Sequence, residues 1–69
     1  MISYIGLEEV LRAHKKDRKY LHEKIGLSSD TIAKFKKGES VSLSVIERIC
    51  LEFDCNIEDI VSIKKDLPR

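Results

Sequence analysis

Residues Arg18 to Lys37 read RKYLHEKIGLSSDTIAKFKK, and this stretch decides the fold. Apolar side chains stand at Leu21 and Ile25, then at Leu27, Ile32 and Phe35. Between the two groups lies Gly26-Leu27-Ser28, where glycine suits the left-handed residue that ends one helix and serine can cap the next. The spacing predicts two short helices, Arg18 to Ile25 and Ser29 to Lys37, joined by a tight turn: a helix-turn-helix. Asp17 is placed to cap the first helix, Asp30 to favour the free amide end of the second, and Gly38 to end it.

The flanks read as helices packed around that unit. Leu7, Val10, Leu11 and His14 recur at helical spacing, with Glu8 and Glu9 near the start, so a first helix runs from about Gly6 to His14. Lys15-Lys16 is a charged link. Ser42 can cap a fourth helix with the clearest period in the chain: Leu43, Ile46, Ile49, Cys50 and Phe53. Asn56 can cap a short fifth helix, with Glu58 and Asp59 in its first turn and Ile57, Ile60 and Val61 on its apolar side. The apolar lead-in Ile2 to Ile5 and the β-prone Val61-Ser62-Ile63 invite a short pairing of the chain ends. Lys64 to Arg69 is expected to fray. The expectation is an all-α, five-helix bundle forming one domain over residues 1–69, with room for that terminal β pairing.

Composition narrows the function. Sixty-nine residues hold one small core, which favours a tight helical bundle or an oligomer, and an apolar fraction of 42% suits a folded chain. No apolar run approaches the ~20 residues needed to span a bilayer. MISYIGLEEV lacks the basic and apolar regions of a signal peptide, so a cytoplasmic location is expected, with no membrane partner. Cys50 and Cys55 are too few for a disulfide scaffold, match no zinc spacing, and fit core positions as reduced, buried thiols. His14 and His22 fall on different helices and make no ligand pair. With no glycine-rich phosphate loop, no nucleophile paired with a base, and too short a chain for a sizeable pocket, neither an enzyme, a metal, a cofactor nor a small-molecule effector is expected.

The net charge is only +1, but it is unevenly spread. Residues 12–38 carry nine basic side chains against Asp17, Glu23 and Asp30, a net of +6 that the rest of the chain nearly cancels. A basic middle between acidic flanks is expected when one face meets phosphate and the opposite face must not.

This ordered set of apolar, glycine and cap positions resembles the Cro and phage-repressor type of helix-turn-helix domain, the lambda repressor-like XRE family, over about residues 5–61. Counting from Arg18, the residues Leu21, Ile25, Leu27, Ile32 and Phe35 match the family's apolar motif positions, and Gly26 matches its turn glycine. The Leu43-Ile46-Ile49 pattern and Asn56 to Ile60 look like its fourth and fifth helices. There are two departures. His22 stands where the family usually has alanine, so either the two helices separate slightly or the imidazole tilts outward. Arg18 stands where a phosphate-clamping glutamine is frequent, and can do that work with a charge.

The resemblance implies a small bacterial transcriptional regulator that binds double-stranded DNA through a major-groove helix. By that resemblance Ser29, Asp30, Ala33 and Lys34 match base-reading positions. Lys34 can donate to guanine, Ala33 can touch a thymine methyl, and Asp30 either accepts from cytosine or only favours the helix end. Phosphate contacts are expected from Arg18, Ser28, Thr31, Lys36 and Lys37, with Arg12, Lys15 and Lys16 left open. One module of this size implies a homodimer on a palindromic site, through the terminal strands or the exposed part of the last two helices. The alternative is a protein-interaction module, antitoxin-like or an adaptor, that reuses the fold without reading DNA.

Overall fold

A computed structural model describes residues 1–65. Its elements are β1 (Ile2–Ser3), α1 (Ile5–Ala13), α2 (Arg18–Tyr20, continuing as a π-helical turn Leu21–Ile25), α3 (Ser29–Lys37), α4 (Leu43–Phe53), α5 (Ile57–Ile60) and β2 (Ser62–Ile63). The expected frayed tail falls largely on residues 66–69, outside the described residues.

The helix ends form where the sequence supplies partners for free amides. Asp17 Oδ1 accepts the Tyr20 N–H at 3.3 Å, Ser28 Oγ the Thr31 N–H at 3.2 Å, and Ser42 Oγ the Val45 N–H at 3.3 Å. At α5 the cap runs in reverse, since the Asn56 N–H donates to Asp59 Oδ2 at 2.9 Å. Gly26 (φ 83°) and Gly38 (φ 76°) take the left-handed conformation that ends the two motif helices.

Leu7 and Leu11 of α1, Leu21, Leu27, Phe35 of α3, Ile46, Ile49 and Phe53 of α4, and Ile60 of α5 close into one core, joined by Tyr4. Leu7, Leu21, Ile49 and Ile60 are fully buried, each worth about 1.5–3 kcal/mol. Ile25 and Ile32 pack against this core from its edge. Leu43, part of the apolar period, is 73% exposed because it opens α4 beyond the edge of the core. Cys50 and Cys55 are half-buried rather than buried. The inward line of α4 is Ile46, Ile49 and Phe53, which puts Cys50 on its flank, and Cys55 follows the helix end.

The chain ends meet in an antiparallel pair, Ile2 opposite Ile63 and Ser3 opposite Ser62, extended by the Lys64 N–H to the Met1 carbonyl at 2.7 Å. Helix α1 packs on α5 with Gly6 at the crossing. A Cβ there would lie 2.2 Å from the Asp59 carbonyl oxygen, so a bare backbone is required.

The second helix departs from a regular α-helix. After one turn it widens, and the N–H groups of Gly26 and Leu27 both bond back to the Leu21 carbonyl, Leu27 at 3.2 Å. His22 lies in this wide turn. It is exposed, and its Nδ1–H donates to the Leu27 carbonyl at 2.8 Å. Of the two arrangements open to it, the imidazole takes the outward one. Because a carbonyl only accepts, the bond also fixes the tautomer.

Candidate nucleic-acid interface

The helix-turn-helix is held by contacts from distant parts of the chain. Phe35, facing inward from α3, meets the Tyr4 ring edge-on, with centroids 4.9 Å apart and planes at 87°. The Tyr4 hydroxyl donates to the Glu39 carbonyl at 2.6 Å, just past the end of α3. Burial raises the Tyr4 phenol above its usual 10.0, and a backbone hydrogen bond at Val41 pulls it partly back. From α4, Arg48 Nη2 donates to the Ile25 carbonyl and clamps the turn. The inner side of α3, its far end and the turn before it are thus all tied down.

The outer side of α3 is open. Ser29, Asp30 and Lys34 are exposed and Ala33 is half-exposed, so the expected base-reading residues share one outward face. Lys36 and Lys37 are exposed in the last turn. At the first turn, Ser28 Oγ donates to Thr31 Oγ1 at 3.0 Å and accepts the Thr31 N–H, leaving the Thr31 hydroxyl hydrogen free to donate elsewhere. Eight of the nine expected contact residues therefore lie on α3 or its cap.

Arg18 is placed differently. Its Nη2 is engaged in a salt bridge with Glu8 Oε2 of α1, both side chains half-buried. Its Nε is buried with no hydrogen-bond partner among the described residues. Its charge is already partly neutralised, which the sequence reading did not anticipate. Lys16 sits 4.7 Å from the Tyr20 ring centroid in a cation–π contact.

Sequence reasoning missed Arg48, Glu8 and the role of Tyr4. Arg48 carried a signal, as the one cation between Glu39 and Ile63. Glu8 carried none, because an acid near a helix start is already explained by the helix dipole.

Elsewhere, an apolar groove of about 110 Å³ runs between the β pair and the starts of α4 and α5, lined by Ile2, Leu43, Ile46, Ile57, Val61 and Ile63. Among the described residues, no group of three His, Cys, Asp or Glu side chains can hold a metal. No helix among them is long and apolar enough to cross a membrane.

A family model described as a Cro/C1-type HTH DNA-binding domain matches residues 6–66. The chain belongs to that family. The matched residues take in the α2–α3 unit and extend through α4, α5 and β2. Among solved structures the chain is similar to the transcriptional regulator VanUg (crystal form II), with 36% identity and a TM-score of 0.85 over 88% of this chain and 81% of that one. No curated protein matches the chain. The Cro/C1-type assignment makes this a DNA-binding domain, with the all-α bundle and terminal β pair that the sequence implied.

Proposed function

We propose that this chain regulates transcription by binding specific double-stranded DNA sites, with α3 entering the major groove. The observation that carries the reading is the outward face of α3. Ser29, Asp30, Ala33 and Lys34 stand clear of the core on a helix whose inner side and far end are fixed. Lys34 is the donor for a guanine edge, and Ala33 is small enough for a thymine methyl. Asp30 repels phosphate and so restrains binding to nonspecific sequence.

Lys36, Lys37 and the Thr31 hydroxyl contact phosphates, while Ser28 holds Thr31 in place. Arg18 also contacts a phosphate without leaving Glu8. The carboxylate orients the guanidinium and lowers its effective charge, and Nη1, unlike the buried Nε, is the donor left for the phosphate.

A single α3 spans few base pairs, so two copies act together on a palindrome with half-sites about one helical turn apart. Leu43, Ile57 and Ile63, exposed around the apolar groove, supply the contact between copies. Sedimentation with and without DNA tests this, and a monomer under both conditions removes the dimer.

The test of the reading is a salt series on a random pool of duplex DNA. If Arg18, Lys36 and Lys37 of two copies each neutralise one phosphate, log K falls with log salt at a slope of about −5. Absence of binding at low salt would turn the reading toward a protein-interaction module.

A further inference from the structure

Away from the DNA-facing side, the end of α4 sets two thiols against each other. Asp54 turns left-handed (φ 51°, ψ 54°), and the Cys50 carbonyl accepts N–H groups from both Asp54 and Cys55, the latter at 3.0 Å. In such a hooked helix end, the residue giving the carbonyl and the one closing the six-residue loop bring their side chains together. Here those residues are Cys50 and Cys55. Both are free thiols, half-buried and packed against the same core. Their proximity shows in the Cys55 thiol, which burial and then the neighbouring Cys50 push up to about 11.

We propose that Cys50 and Cys55 are a dithiol modification site, oxidised by low-molecular-weight disulfides to an internal disulfide that staples the end of α4 to the approach to α5. The Cys50 thiolate attacks one sulfur of the small disulfide. That S–S bond breaks, a mixed disulfide forms, and one small thiolate leaves and takes a proton. Cys55 then loses its proton and attacks the Cys50 sulfur, closing the internal bond and releasing the second small thiol. Two protein thiols lose two electrons, and one small disulfide becomes two thiols.

The surroundings set the pace. Asp54 and Asp59 face Cys55 from its own corner, and Glu9 of α1 and His14 just past its end line the same cleft. Burial first, then Cys50, then Asp59 and Asp54 disfavour the Cys55 thiolate, so closure is slow at neutral pH and quickens as pH rises. The same disfavoured thiolate makes the closed disulfide resistant to reduction.

The test incubates the whole folded chain with excess oxidised glutathione at mildly alkaline pH, then reads intact mass and free thiols. The wild type is expected to form no disulfide-linked dimer, lose both titratable thiols and fall in mass by two hydrogens. Cys50→Ser and Cys55→Ser, each checked for helical circular dichroism, should stop at one mixed disulfide. Wild-type protein that stays reduced, holds only mixed disulfides or forms only disulfide-linked dimers overturns the proposal, and that result is readable whether or not the variants fold.

Discussion

Replacing Gly6 with alanine separates local preference from tertiary packing. Within α1, local preference alone makes Gly6→Ala stabilising, by up to about 1 kcal/mol. The fold reverses the sign. A Cβ at Gly6 meets the Asp59 carbonyl oxygen at 2.2 Å, its carbon at 2.9 Å and the Ile60 oxygen at 3.2 Å. All three are backbone atoms, so no side chain can swing away. Restoring ordinary contact requires α5 to retreat from α1 by about 1 Å, which loosens fully buried Ile60 and Leu7. Overpacking of this kind costs about 3 kcal/mol at its upper end, leaving a net loss of about 2 kcal/mol. For a domain of this size the melting temperature should fall by about 10 °C. Urea unfolding followed by far-ultraviolet circular dichroism measures it. A Gly6→Ala chain that unfolds at the wild-type urea concentration or above would refute the close crossing of α1 and α5.

Three further substitutions have defined outcomes. Ser42→Ala removes the cap of α4 and should lower stability by about 1 kcal/mol in urea unfolding. Tyr4→Phe deletes the bond to the Glu39 carbonyl at similar cost. Because burial raises the Tyr4 phenol, ionising it favours the unfolded chain: its contribution is intact below pH 10 and lost as pH climbs through the raised folded value, and Tyr4→Phe should flatten that alkaline decline. Lys36→Ala should weaken binding to all DNA sequences alike and make the salt slope shallower by about 0.9 per copy, measured by fluorescence anisotropy.

What was legible in the sequence was local. Asp17, Ser28 and Ser42 cap the helices that follow them, and Gly26 and Gly38 end the motif helices, because a cap or a left-handed residue acts within a few positions of itself. A pairing of the chain ends was open to the sequence from β-branched residues at both termini, but its antiparallel register was not. The wide turn in α2 was not, since it depends on the Leu27 N–H reaching the Leu21 carbonyl across His22. The neighbours of the site were harder still. Glu8 and Arg18 meet across ten residues, Arg48 and Ile25 across 23, and Tyr4 and Glu39 across 35. No periodicity encodes such pairs, because they exist only once the helices have packed. Leu43 and Cys50 show the same limit, since a helical period counts a residue as apolar without saying where the core ends.

The central claim is that the outward face of α3 reads bases. Its most direct measurement is the base-by-base preference of the wild type and of Lys34→Ala, each obtained by selecting bound fragments from a random duplex pool. The account predicts an enriched palindromic site for the wild type. In Lys34→Ala, preference should be lost at one base pair of each half-site, about 1–3 kcal/mol of discrimination, while the other positions keep theirs. Identical profiles for the two proteins, or no enriched sequence for the wild type, would contradict it.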